Sequence, residues 1–474
     1  MKSVNLVYGV KDKPGFWKTI VFALQQVLAI LAATIVVPVI INSNVGSEMS
    51  QSAALFGAGV GTLVYLLFTK FKSPVFLGSS FAFIGSMCAA FGGAASASAG
   101  YLGLIVGAIF AGLVYVVIAL IVKVAGVKWI DKIMPAAVIG PTVAIIGLSL
   151  SVNAIGDLFK GSVSAPVEEW IINSNGLPEL VTNFYPTART WLCLLCGLVT
   201  LATVIVCSVY GKKMMKIIPF IIGIAAGYAL AAIFTVIGRL TENPALMIIN
   251  FDLFLNMKWL PEFTFIEAFG GFKDIDGAFI GTVAVAYVPV AFVVFAEHLA
   301  DHKNISSIID ANLLENPGLH RTLLGDGVGS IVGSFFGGCP NTTYGESVGC
   351  VAISGNASIV TIFTAAIICI ISAFFAPFMT LLATIPSCVM GGVCMTLYGF
   401  IAVSGLKMIQ KVNLSANNNL FTVSVILIAG VGGMVLNIGE VTITSVACAL
   451  ILGILVNLVT SKSKKAKSEE TKED

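Results

Sequence analysis

Three acidic side chains stand where this chain offers little water. Glu346 lies in "CPNTTYGESVG", residues 339–349, and Glu297 and Asp301 lie in "FAEHLADH". An ionised carboxyl accepts hydrogen bonds and a protonated one also donates, so such a group can hold an N–H or carry a proton. Glu297 and Asp301 are four residues apart and share one helix face, whereas His298 points elsewhere. Acids crowded together in a dry setting repel one another when ionised. That suits groups that bind and release a proton. The plain alternative is a pair of protonated acids that merely tie helices together.

Other chemistry-bearing residues form weaker patterns. His298, His302 and His320 fall within 23 residues. A His-x3-His pair on a helix can ligate zinc, but 298 and 302 straddle the end of an apolar run beside Lys303, which reads as a solvated loop. No metal site is expected. "WLCLLCGL" places Cys193 and Cys196 in a CxxC without redox or zinc context, where cysteine behaves as a small apolar residue. "GDGVGS", residues 325–330, lacks both the GxGxxG pattern and the lysine of a phosphate loop. With no nucleophile–base pair, the chain does not read as an enzyme, and no catalytic residue or cofactor is assigned.

Composition decides what kind of elements position these acids. The chain has 474 residues, 57% hydrophobic and 11% charged, with a mean hydropathy of +0.99. A soluble protein carries about a quarter charged residues. Runs of about 20 apolar residues recur, the length of a helical membrane span. An outer-membrane barrel would show short alternating segments instead. The chain therefore reads as an all-α polytopic membrane protein. Its run from Thr19 to Ile41 is too long for a signal-peptide core and is read as a retained first span. A net charge of +2 carries no sign of nucleic-acid binding.

Fourteen candidate spans fall near 18–41, 52–70, 75–92, 101–124, 133–154, 190–210, 217–238, 277–299, 321–338, 339–354, 358–380, 385–404, 418–436 and 441–460. The third and tenth are short and rich in Gly, Ser or Thr. With both ends placed in the cytoplasm, 21 of the 26 basic residues fall in inner segments, as the positive-inside rule requires. Lys160, Arg189, Arg239, Lys258 and Lys273 fall outside, and no base is left within a span. Of the 24 acids, twelve fall in outer loops and ten, Asp301 and Asp326 among them, in inner segments. Glu297 and Glu346 remain as the only charges placed in spans, with Asp301 at the end of the same helix. A charge at membrane depth costs at least about 2.5 kcal/mol and usually faces a polar cavity or a partner.

A repeat is present in the chain. "GSSFAF", Gly78 to Phe83, aligns with "NTTYGE", Asn341 to Glu346, and "PAAVIG", Pro135 to Gly140, with "PSCVMG", Pro386 to Gly391. The separations are 263 and 251 residues, and each pair is seven spans apart. An odd shift in span number reverses direction, so the chain reads as a 7+7 inverted repeat, a transporter arrangement with its site at the midplane. Backbone that leaves a helix in the membrane needs protein or a watery cavity beside it. The two stretches, running oppositely, are expected to pair as short antiparallel strands, with the following half-helices pointing at the cavity. Phe81 and Tyr344 would supply faces for a flat ligand. Gly325, Gly329, Gly333 and Gly337 recur every four residues, which is expected to let a neighbouring helix approach closely and hold the tenth span in place.

"FAEHLAD", "PGLHRTLLGDGVGS", "FGGCPNTTYGESVG", "FLGSSFAFIG" and "LAATIVVP" resemble the bacterial uracil permeases of the nucleobase–ascorbate transporter family over nearly the whole membrane region. Purine and xanthine members carry "QN-x-G" in place of "PNTTYGE". The resemblance implies a core domain (residues 17–125 and 276–382), a gate domain (126–240 and 383–460) and a cytoplasmic tail (461–474). It implies that Glu297 and Glu346 hydrogen-bond the edge of uracil and that Phe81 contacts the ring. Tyr344 and Gly345 would present backbone groups, and Ala33 would line the first span's side. Where one member of the family carries a histidine, this chain has Asp301, and Cys339 replaces a common proline.

The expectation is thus a secondary transporter in the cytoplasmic membrane that imports uracil by proton symport, through elevator-type movement of core against gate. Glu297, Glu346 and Asp301 are the candidates for proton coupling; sodium is the less favoured coupling ion. Expected partners are uracil, membrane lipid and a second copy of the chain, since some family members are dimers. A xanthine or urate carrier of the same family is the nearest alternative. A channel or anion exchanger could share the architecture, but would be expected to place a base at the site.

Overall fold

The computed structural model of the protein describes residues 6–473 except 127–128, 130–133, 173–177, 213 and 439–440. Lys2, Lys128, Asp131, Lys132, Lys213, Glu440 and Asp474 of the charge census lie outside the described residues. In chain order the main elements begin with α1 (Phe16–Val45), α2 (Gln51–Phe68), β1 (Leu77–Ser79), α3 (Ile84–Gly92) and α4 (Ala97–Ala125). There follow α5 (Ala136–Ser149), α6 (Ser151–Asp157), β2 (Ser164–Ile172), β3 (Pro178–Pro186), α7 (Thr190–Tyr210) and α8 (Pro219–Leu240). Next come α9 (Gly277–Ile309), α10 (Leu319–Gly337), β4 (Asn341–Thr343), α11 (Gly345–Ser354), α12 (Ile359–Ser372) and α13 (Ala376–Ala383). The last are α14 (Ser387–Ile409), α15 (Asn417–Val431), β5 (Leu436–Ile438), β6 (Val441–Ile443) and α16 (Ser445–Glu473).

Among the described residues, eight helices are long and apolar enough to cross a membrane, with α5 and α6 taken together as one. The stretch read as the eleventh span breaks after Ser372 into two shorter helices, α12 and α13. The PxxVxG echoes mark helix starts: α5 begins directly after Pro135 and α14 directly after Pro386. Helix ends follow local chemistry. Asp276 accepts from the Phe279 N–H at 2.7 Å to cap α9. Gly338 and Gly355 take positive φ, 74° and 67°, to end α10 and α11.

Contacts divide the chain into two units. The larger comprises Met1–Leu150, Leu260–Phe375 and Tyr398–Asp474. Its centre is the seam between α2 and α10, and the glycine stripe lies on it. A Cβ at Gly329 would sit 2.8 Å from the Gly61 carbonyl oxygen, and one at Gly61 would sit 2.8 Å from that of Gly329. Gly337 abuts Ala53 and Ala54, and Gly325 abuts Tyr65 and Phe68. In lipid, such backbone approach takes the place of hydrophobic burial as the source of helix attraction. The seam also leaves room for the side chain of Asn341, whose amide donates to the Gly57 carbonyl at 3.0 Å.

The smaller unit comprises Ser151–Trp259 and Ala376–Leu397. Here Gly197 of α7 lies against the backbone of Cys388, and Gly223 of α8 against Thr200 of α7. Cys193 and Cys196 are buried free thiols on α7. Strands β2 and β3 form an antiparallel hairpin, Ser164↔Pro186 through Ile172↔Pro178, in a stretch read from hydropathy only as a loop. Its β-branched and aromatic residues favour strands, and it is too short and polar to register as a span.

Candidate functional site

The two Ser/Thr-rich stretches meet. β1 and β4 pair antiparallel, Leu77 with Thr343, Gly78 with Thr342 and Ser79 with Asn341. β-Branched and hydroxyl residues that resist helix supply the strands, and each strand's backbone groups are answered by the other. Beyond the ladder, the Ser80 N–H donates to Pro340 at 2.8 Å and the Tyr344 N–H to Phe76 at 3.1 Å. The Thr62 hydroxyl accepts from the Leu77 N–H at 2.9 Å, and the Ser347 hydroxyl from the Phe76 N–H at 3.1 Å. Broken backbone is therefore paired from every side, as membrane depth demands.

Each strand leads into a short helix. β4 runs through Tyr344 into α11, which begins at Gly345 with Glu346 in its first turn and no side-chain cap. The start of α11 thus offers backbone N–H groups and the positive end of the helix dipole. β1 leads through a 3-10 turn, Phe81–Phe83, into α3. The Tyr344 side chain is 4% exposed, packs on Gly78 and donates its hydroxyl to the Ser79 carbonyl at 2.7 Å. Its ring is committed to the ladder and its N–H to Phe76, so what Tyr344 can offer a ligand is its carbonyl oxygen.

Helix α9 brings the other acids. Glu297 and Asp301 lie half-buried on one face of it, and Thr343 donates to Asp301 Oδ2 at 2.9 Å. Gly345 is exposed, and a Cβ there would lie 3.7 Å from Asp301 Oδ1. Glu297 is within electrostatic reach of both Asp301 and Glu346. Among the described residues no ion pair reaches these three carboxyls. They form a cluster of acceptors next to the first-turn N–H groups of α11. That combination can hold a planar molecule carrying both N–H and C=O on its edge.

Phe81 and Ala33 lie on other sides of the ladder. Phe81 meets Tyr398 edge-on, with centroids 6.0 Å apart. It also lines a cavity of about 200 Å3 with Asn44, Ser86, Ser149, Val290 and Thr444; none of the three carboxyls lines it. Ala33 is buried at 1% exposure in α1, a helix that packs on both β1 and α11.

The acid census needs one correction. Asp326 was assigned to an inner segment, but it lies within α10 at 0% exposure, and its Oδ2 is 2.7 Å from His298 Nδ1. Its place one residue after Gly325, well inside the ninth apolar run, was the signal for its burial. The histidine loop is corrected likewise: α9 continues to Ile309, and His298 and His302 are fully buried. His298 does point away from Glu297, into this pair. His302 Nε2 is 2.7 Å from the hydroxyl of Tyr65 on α2. Among the described residues no group of three or more His, Cys, Asp or Glu side chains is arranged to hold a metal ion.

Comparison with known proteins identifies relatives of the whole chain. Residues 17–439 match the Permease family (Xan_ur_permease). The chain is 36% identical over 480 aligned positions to the uracil permease of Bacillus subtilis (strain 168), covering 100% of this chain and 99% of that one. It is 33% identical to the uracil permease of Escherichia coli (strain K12), covering 95% and 93%. Among solved structures, the transmembrane domain of a cyanobacterium bicarbonate transporter, BicA, matches with a TM-score of 0.57 at 15% identity, covering 94% of this chain and 99% of that one. Murine Slc26a9, an anion transporter in the inward-facing state, matches at 0.63 and 13%, covering 96% and 69%. At such identities these two speak to the fold alone.

Proposed function

The chain belongs to the permease family of nucleobase–ascorbate transporters, and on that footing we propose that it imports uracil with protons across the cytoplasmic membrane. It is an integral membrane transporter, not an enzyme. The observation that carries the substrate reading is the β1–β4 ladder, which sets Glu346 at the start of α11 beside Glu297 and Asp301 of α9. Uracil is planar and neutral, with two N–H donors and two carbonyl acceptors. Glu297 and Glu346 accept from its N–H groups, and the Gly345 N–H donates to carbonyl oxygen beside the Tyr344 backbone, whose own N–H is held by Phe76. Phe81 contacts the ring, and Ala33 lines the α1 side. The named uracil permeases among its relatives support this choice over xanthine.

The reading includes fourteen spans in a 7+7 inverted repeat, with both termini cytoplasmic. It is supported by the ladder's own symmetry. The alignment of Gly78 with Asn341 and Ser79 with Thr342 exchanges the pair Gly78–Thr342 with the pair Ser79–Asn341. The basic residues favour the same orientation. Residues 17–125 and 276–382 form the core and residues 126–240 and 383–460 the gate, and the core moves against the gate in an elevator cycle. Protons couple through Glu297, Glu346 and Asp301, and two copies of the chain associate in lipid.

Thermal unfolding of the purified protein with a panel of nucleobases tests the substrate. A ligand at about 100 times its Kd stabilises by about 2.7 kcal/mol. Uracil should raise the midpoint and xanthine should not; the reverse result would overturn the assignment.

A further inference from the structure

On the face of α9 that carries Glu297, two turns nearer the helix start, lies a cavity that the proposed substrate contacts leave unused. Val290 lines it and stands seven residues before Glu297, about 10.5 Å along the helix and on the same side. The cavity, of about 200 Å3, forms where three helices end or begin: the last turns of α1, at Asn44, and of α5, at Ser149, and the first turn of α16, at Ser445. In the proposed orientation all three are outer ends, and Asn44 is exposed. The cavity is thus on the outer side of the carboxyls. Phe81, two residues beyond the ladder strand β1, is the side chain it shares with the proposed site.

Its lining is polar but uncharged: among the described residues no acid, base or histidine faces it. The Ser86 hydroxyl donates to the Ala286 carbonyl at 2.6 Å, and the Ser149 hydroxyl to the Ile146 carbonyl at 2.9 Å. Both oxygens therefore keep lone pairs with which to accept. The Thr444 hydroxyl is buried and has no hydrogen-bond partner among the described residues. Thr444 leads directly into α16, whose first N–H groups have no partner within the helix. Asn44 adds an amide that both donates and accepts. An ion would find no opposite charge here. A neutral, planar molecule with N–H and C=O on its edge finds both kinds of partner, and the space is many times what one water needs.

We propose that this cavity is an outer station, which holds a neutral nucleobase before it passes Phe81 to reach the carboxyls. The inference rests on the nucleobase reading and on the proposed orientation. Because hydroxyls, an amide and backbone do the holding, binding here needs neither Glu297 nor Glu346 and takes up no proton. The station and the carboxyl site are therefore separable by experiment.

Cys88 reports on the cavity. It lines the space and is half-buried, whereas the other nine cysteines are buried. On intact cells a membrane-impermeant maleimide should label Cys88, and the label should stop uracil uptake; Cys88→Ala should take no label. Uracil should slow the labelling of wild type and also of Glu346→Gln, since the station needs no carboxylate. Adding Thr444→Val to Glu346→Gln should raise the uracil concentration that gives half-protection about fivefold. Ser149→Ala carries the same expectation where Thr444→Val fails to insert. Protection that disappears with Glu346→Gln puts the base at the carboxyls alone and overturns the station. So do a Cys88 that cannot be reached from outside, full uptake by the labelled protein, and protection that neither Thr444→Val nor Ser149→Ala weakens. A base other than uracil that is taken up, and that protects Cys88 with and without Glu346, overturns the uracil reading and supports the station.

Discussion

Thr343 donates its hydroxyl to Asp301 at 2.9 Å. The bond joins the strand that leads to Glu346 with the helix that carries Glu297, at the point where the carboxyls gather. A hydrogen bond to a charged group contributes about 1.5–3 kcal/mol, a factor of roughly ten or more in affinity. Thr343→Val should therefore raise the KM for uracil about tenfold with little change in membrane abundance. An unchanged KM would remove Thr343 and Asp301 from the site.

Glu346→Gln and Glu297→Gln each replace an anionic acceptor by an amide of the same shape. Each should cut uracil uptake by about a hundredfold, with insertion intact on immunoblots of membranes. Wild-type uptake by either variant would sink that residue's assignment.

The proposed proton symport has a definite sign. On that proposal the proton enters with uracil from outside, so uptake should rise as external pH is lowered at constant internal pH and fall as it is raised. A protonophore should collapse accumulation in vesicles. Accumulation that ignores the protonophore but follows a sodium gradient would refute proton coupling.

The seam between α2 and α10 predicts contrasting glycine variants. A Cβ at Gly329 would lie 2.8 Å from the Gly61 carbonyl oxygen, whereas one at Gly349 meets nothing within 4 Å. Overpacking costs about 1–3 kcal/mol. Gly329→Leu should lower the unfolding midpoint in detergent by several degrees, and Gly349→Ala should leave it unchanged. Equal effects at the two positions would contradict the packing.

Much of the scaffold was legible along the chain. The Ser/Thr-rich breaks, seven spans apart, announced the ladder, because residues that resist helix in an apolar stretch must find backbone partners elsewhere. The four-residue glycine stripe announced the α2–α10 seam, since one helix face with no side chains fits only a close neighbour. The β2–β3 hairpin escaped notice because hydropathy windows respond to apolar length and not to strand pairing. The histidines were misplaced for a related reason. A run of residues does not reveal how far a helix extends beyond its apolar part, and α9 carries its buried face on to Ile305. Asp326 was different, since its position inside the ninth apolar run already marked it as buried.

Composition and pattern by themselves determined the membrane setting, the two broken segments and the acids Glu297, Asp301 and Glu346, because each rests on a cost that a residue bears wherever it sits in lipid. Only the tertiary structure decided which polar groups meet. Thr343 finds Asp301 across 42 residues, His298 finds Asp326 across 28 and Tyr344 finds Ser79 across 265. Those separations follow no period. They are set by how closely α2, α9 and α10 pack, which is why the ring of Tyr344 went to the ladder and the histidines to a buried chain of their own.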